Sequence, residues 1–186
     1  MERTFEAVLV EQCAPTLAGV KPASLFRWQG GEARDRAARW ARELAPFGIA
    51  IRVLKTCPRT GDSLIYLYRA AWLRRILTDG DNRGFLEAAG YSLDQGCGGL
   101  LEQLSHRLCL EREFPHEIGL FLGYPLEDVV GFIQNGGRNY TCCGCWKAYG
   151  DPEEARRRFA RYRRCTEICR ARFLAGVPIR KLVAAA

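Results

Sequence analysis

Hydrophobic positions along the chain follow two periods, and the switch between them locates the elements. Phe5, Val8 and Leu9 recur at helical spacing over residues 2–12, and Pro15 predicts an early end to that helix. Residues 14–31 read as a loop with a helical turn near Ala23–Phe26. Over residues 32–45, Ala33, Ala37, Trp40 and Leu44 form one stripe among Arg and Glu, the pattern of an amphipathic helix. Alternation then takes over. Ile49, Ile51 and Val53 share one face, and Leu64-Ile65-Tyr66-Leu67-Tyr68 is rich in β-formers. Between them, Cys57-Pro58-Arg59-Thr60-Gly61-Asp62 is a turn, so 49–54 and 64–68 are predicted to pair as a hairpin. A lone hairpin is marginal in water. Residues 140–148, around Tyr140, Trp146 and Tyr149, are the candidate third strand.

Helical spacing returns after the hairpin. Residues 69–78 carry Trp72, Leu73, Ile76 and Leu77 and stop at Gly80; residues 82–89 stop at Gly90. Ser92 with Gln95 is a capping-box pattern. It opens a helix with Leu93, Cys97, Leu100, Leu101, Leu104 and Leu108 inward, although Gly96, Gly98 and Gly99 weaken its first turns. Pro115 and Pro125 suit first helical positions, and Gly123 and Gly136 suit the residue after a helix. The prediction is helix 115–122, a turn at Gly123-Tyr124 and helix 125–134. A last helix, 152–174, starts behind Asp151-Pro152. The fold class is therefore α+β. A single domain over 1–186 is expected, mostly helical, packed on a small antiparallel hairpin or three-stranded sheet, with a helix-turn-helix-like hairpin at 115–134.

Composition narrows the function classes. The 186 residues suffice for a core without staples. No apolar run reaches the roughly 20 residues of a membrane span. The start Met1-Glu2-Arg3-Thr4-Phe5-Glu6 lacks a secretory h-region, so a cytoplasmic location is expected. Nine cysteines then imply reduced thiols, a metal site or redox chemistry, with plain packing the ordinary role of a free cysteine. The net charge of +7 invites a nucleic-acid reading. However, eight Arg against three Glu fall within residues 153–172, which is also what a solvated helix face looks like. Weak phosphate or nucleic-acid contact through Arg156, Arg157, Arg161 and Arg164 is the corresponding expectation. The chain has no Walker A loop, no GxGxxG after a strand, no HExxH and no EF-hand loop. No cofactor is predicted, and whether the protein is an enzyme stays open.

Three constellations could carry chemistry. In the 115–134 hairpin, Gly119 sits where two helices would cross, but Glu127 and Asp128 at the start of the second helix repel phosphate and argue against sequence-specific DNA reading. Cys142-x-x-Cys145 has knuckle spacing, and Cys165 and Cys169 could complete a Zn or Fe–S site. Against this, Cys165 and Cys169 lie mid-helix on the stripe of Phe159, Tyr162 and Phe173, as packing residues do. The Cys142–Cys145 pair alone could be redox-active. Finally, Cys13 with His116, oriented by Glu117, would be a thiol–imidazole pair. Thr16, Gly19 and Lys21 could cradle an anion beside it. The plainer alternative buries Cys13 against Leu17 and leaves His116 at its own helix start. The expectations are therefore a small-ligand or partner-binding protein with thiol chemistry at Cys13/Lys21/His116, a metal module through the four cysteines, or a non-specific nucleic-acid adaptor through helix 153–172.

Three stretches carry a resemblance to a known family. They are Cys13-Ala14-Pro15-Thr16-Leu17-Ala18-Gly19-Val20-Lys21-Pro22-Ala23-Ser24-Leu25-Phe26, then Phe114-Pro115-His116-Glu117-Ile118-Gly119-Leu120-Phe121-Leu122-Gly123-Tyr124-Pro125-Leu126-Glu127-Asp128-Val129, then Trp146-Lys147-Ala148-Tyr149-Gly150-Asp151 with Tyr162-Arg163-Arg164-Cys165-Thr166. The chain resembles the bacterial family called domain of unknown function 3793. The resemblance implies a bacterial cytosolic protein and assigns no activity. The Cys142-Cys143-x-Cys145 cluster is not part of that pattern, whereas Cys13, Lys21, His116 and Glu117 are.

Overall fold

Helix α1 (Phe5–Leu17) begins where the Thr4 hydroxyl accepts a hydrogen bond from the Ala7 amide, satisfying one of the donors a helix start leaves open. The first two positions of the expected helix 2–12 lie outside the described residues of this computed structural model, which are 4–110 and 113–184. At its other end α1 does not stop before Pro15 but runs on to Leu17. A proline in a helix removes one donor. Full burial of Cys13, Ala14 and Leu17 offsets that loss, since a buried aliphatic side chain contributes on the order of 1.5–3 kcal/mol. The Pro15 carbonyl then accepts the Val20 and Lys21 amides at 2.7 and 3.0 Å and folds the chain back.

Strand β1 (Ala23–Trp28) comes next, where the sequence suggested a loop and a helical turn. Strands β2 (Ile49–Thr56) and β3 (Ser63–Arg69) form the expected hairpin, and β1 pairs antiparallel with β3, giving the order β1-β3-β2. The third strand is thus β1 and not 140–148. Phe26 and Trp28 are buried on either side of exposed Arg27, but this alternation is too short to outweigh the turn signals of Pro22 and Gly30-Gly31. A bulge between Val53 and Lys55 brings Leu54 into the interior. Helix α2 (Ala33–Leu44) buries the predicted stripe of Ala33, Ala37, Trp40 and Leu44. These elements belong to one compact unit, Met1–Leu73 with Arg164–Ala186; Arg74–Arg163 forms another. The core of the first unit joins α1, the sheet and α2 to Cys169 and to Ile179 and Leu182 of a short 3-10 turn near the C-terminus.

Helix α3 (Ala70–Thr78) leads from β3 into the second unit, which holds α4 (Gly80–Ala88), α5 (Gly96–Leu110), α6 (Ile118–Phe121), α7 (Leu126–Gln134) and the short strands β4 (Cys142–Cys143) and β5 (Lys147–Ala148). Helix α5 starts four residues after the predicted cap. The Gln103 side chain holds Ser92 instead, accepting from its amide at 2.8 Å and donating to its carbonyl at 2.9 Å. Helix α6 is shorter than the expected 115–122, because the bonds Ile118 to Pro115 and Gly119 to His116 close tighter, three-residue turns. The crossing at Gly119 is as read from sequence: a Cβ there would lie 2.9 Å from Val129 Cγ2 and 3.1 Å from the Tyr124 ring. Residues 140–148 make a separate two-stranded ribbon, β4 with β5. Helix α8 (Pro152–Leu174) matches the predicted 152–174, with the Asp151 carboxylate accepting the Glu153 amide at 2.8 Å. The fold class is α+β, mostly helical with a small antiparallel three-stranded sheet. Among the described residues no helix is long and apolar enough to cross a membrane.

Candidate functional site

In the first unit, the start of α1, the end of β1 and the first turn of α2 enclose a cleft of about 700 Å³, within the range of small-molecule sites. Its floor is aromatic. Phe5 meets Phe26 and Trp28 edge-on at centroid distances of 5.9 and 5.1 Å, and the Trp28 indole nitrogen donates to Gly31 O at 3.2 Å. Gln12, Gln29, Arg27 and Arg36 supply polar groups on the walls. The carboxylate of Glu6, also on the wall, is engaged by Arg39 at 2.8 Å and by the Trp40 indole at 3.1 Å. Arg27 pairs with Asp62. The Arg36 guanidinium lies 5.8 Å from the Trp28 ring centroid and bonds Glu32 through one nitrogen, while its Nε is buried without a hydrogen-bond partner. The unit around this cleft carries 16 Lys and Arg against 8 Asp and Glu, whereas the second unit carries 12 against 13. The first unit is thus net positive and the second close to neutral, while residues 153–172, divided between the two, carry most of the chain's excess as the sequence implies.

The residues singled out from sequence fall elsewhere. Cys13, Thr16 and Lys21 are brought together, but inward. Cys13 and Thr16 are fully buried, and the Thr16 hydroxyl is 2.8 Å from that of Ser24. Burial pushes the Cys13 thiol up to about 12; the Lys21 charge and a Ser24 hydrogen bond oppose this only in part. Lys21 thus acts in the expected sense, yet desolvation wins and the thiol stays protonated, which is the opposite of an activated nucleophile. Gly19 stands beside Arg69 and Ala184, with no open cradle. His116 belongs to the second unit and is exposed, its ring 4.8 Å from Phe132. The buried Glu117 accepts Tyr91 Oη at 3.0 Å and Arg107 at 3.2 Å instead of orienting an imidazole.

Cys142 and Cys145 lie in the second unit, Cys165 and Cys169 in the first. Among the described residues no group of three or more His, Cys, Asp or Glu side chains is placed to hold a metal ion. Cys165 is pushed up to about 11 by burial and by neighbouring Cys169, and its thiol approaches Ala14 O at 3.7 Å. Arg156, Arg157, Arg161 and Arg164 are all exposed along α8, as the charge pattern implied, and Arg156 is paired with Glu153.

The thiol best suited to reaction is Cys57, which in the sequence is legible only as part of a turn. Cys57 opens the β2–β3 turn. The nearby Thr60 hydroxyl, which also serves Asp62 at 2.9 Å, the Thr60 and Arg59 amides and the Arg59 charge bring it down to about 7. A threonine three positions after a turn cysteine was the available signal. Alkylation by iodoacetamide, followed by mass spectrometry, should modify Cys57 first, with a rate rising through a midpoint near pH 7. Thr60→Val should move that midpoint upward, and Cys13 should stay unmodified in the folded protein. A Cys57 midpoint at the ordinary thiol value would disprove the turn's effect.

No curated protein and no solved structure matches the chain. The family model whose description is protein of unknown function, DUF3793, matches residues 9–183, so the chain belongs to that family.

Proposed function

We propose that the protein is a cytoplasmic small-ligand-binding protein whose site is the first-unit cleft, and that its ligand is an anion with a flat apolar part. The buried, unpartnered Nε of Arg36 carries this reading. One N–H of this partly exposed guanidinium is held away from water without an acceptor, which is costly, and a ligand oxygen in the cleft would satisfy it. The aromatic floor beneath supports the flat apolar part, and the first unit's net positive charge would favour an anion. The reading keeps the ligand-binding role expected from sequence and moves it from Cys13, Lys21 and His116 to Trp28 and Arg36. Thiol chemistry, where it occurs, would fall to Cys57.

A thermal-shift series with mononucleotides and aryl carboxylates, followed by calorimetry on any stabilising compound, tests this. Arg36→Ala should weaken binding by about tenfold or more, the worth of one hydrogen bond to a charged group. Equal affinity in the Arg36→Ala variant, or no stabilising anion in the series, would remove the cleft as the site.

A further inference from the structure

We infer that a solvent-facing strip on the second unit, made by Phe114, His116, Phe132, Tyr140 and Lys147, binds unpaired bases of single-stranded nucleic acid. The side chains form a continuous run. Phe114 lies 6.1 Å from His116 and His116 lies 4.8 Å from Phe132, centroid to centroid. Lys147 Nζ lies 5.9 Å from the Phe132 ring and 5.2 Å from that of Tyr140. Phe114 and Tyr140 are 49% and 45% exposed, so two large rings at the ends of the run lack cover. Exposed apolar groups joined in this way mark an interaction surface more often than isolated ones do.

The occupant follows from the groups between the rings. Lys147 is braced by a 2.7 Å bond to Gly137 O, which leaves ammonium protons for a phosphate. Arg138 and Asn139 beside it are exposed. Rings with a cation set among them suit bases stacked on π-faces with a phosphate held alongside. Duplex DNA hides its bases and would have to be read by α7, whose start carries Glu127 and Asp128. The second unit's near balance of charge limits long-range attraction. Stacking therefore has to dominate, and the salt dependence has to be shallow, as for one or two phosphate contacts.

The test is fluorescence anisotropy of the full chain with a labelled oligouridine at low and at physiological salt. Measurable binding is expected. It should fall at least about tenfold in a Phe114→Ala/Tyr140→Ala double variant, because the stacked bases would carry most of the binding. It should fall less in Lys147→Gln. Both strip variants change exposed or half-exposed positions, and a circular-dichroism melt checks that they fold. No oligouridine binding would overturn the inference. So would equal binding by the double variant, a steep salt dependence, equal preference for duplex, or full competition by heparin, which has charge but no bases. A purified protein partner held by the strip in place of oligouridine would overturn it as well.

Discussion

Arg69→Met is expected to lower the stability of the first unit by about 3 kcal/mol or more. Arg69 closes strand β3 and is 4% exposed. Its Nε donates to Thr16 O at 2.8 Å, and a terminal nitrogen reaches Leu17 O at 2.7 Å and Ala184 O at 3.1 Å. Two of these acceptors are carbonyls at the C-terminal end of α1, which the helix itself cannot satisfy and where its dipole favours a cation. The third ties the C-terminal segment to the same point, next to the bond from Ala184 N to Leu17 O at 3.0 Å. One guanidinium thus holds the end of a helix, the end of a strand and the end of the chain. Methionine keeps the apolar stem and removes a charged donor from all three carbonyls; Leu17 O keeps the Ala184 amide and Thr16 O the Gly19 amide at 3.3 Å. Arg69→Lys should fall between wild type and Arg69→Met, because an ammonium cannot present the planar fork. Urea unfolding read by near-ultraviolet circular dichroism would measure the order wild type, Lys, Met. An Arg69→Met midpoint equal to wild type would show that burying the charge costs as much as its bonds return.

The parts legible in the sequence were those where local chemistry and burial agree. The β2–β3 hairpin announced itself through alternation and a Gly-Asp turn. Helix α2 did so through its stripe, α8 through Asp151-Pro152, and the crossing of α6 and α7 through Gly119. The failures came where tertiary packing overrode a local signal. Pro15 did not end α1 because the residues around it are fully buried, and β1 was hidden between Pro22 and Gly30-Gly31 although Phe26 and Trp28 alternate correctly. The missed strand also explains the missed cleft. Trp28 and Arg27 reach it from β1 and Arg36 from α2, so no single window of sequence contains the site. Cys13 was singled out for its neighbours Thr16 and Lys21. Those neighbours are real, but burial outweighs the lysine's charge, and sequence shows charge more readily than depth. Cys57 is the reverse case, since backbone amides that depend on the turn geometry tune it.

In the second unit the largest effect is expected at Asp128. Its carboxylate is 4% exposed and accepts three bonds: from the Trp146 indole at 2.7 Å, from the Tyr149 amide at 2.6 Å and from the Gly150 amide at 3.0 Å. Asp128 lies in the first turn of α7, where the helix dipole favours a negative charge. The same residue reads from sequence as a deterrent to phosphate; its main work is to pin the segment from β5 to the start of α8. Trp146 in turn stacks on Tyr124 at 4.6 Å and meets Phe159 edge-on at 4.5 Å, so the carboxylate sets the position of the ring that joins α8 to the ribbon. Asp128→Ala strands three part-buried donors and should destabilise the unit by on the order of 3 kcal/mol. Asp128→Asn keeps the shape and one acceptor, which can still serve the two amides, but turns its NH2 against the Trp146 N–H; about half the loss is expected. Trp146 fluorescence during urea unfolding would rank the variants, and hydrogen exchange at the Tyr149 and Gly150 amides would localise the effect. Faster exchange at both amides in Asp128→Ala, with Tyr149 and Gly150 still protected in Asp128→Asn, is the expected pattern. An Asp128→Asn variant as labile as Asp128→Ala at those two amides would mean that the negative charge, and not the paired acceptor geometry, holds the segment.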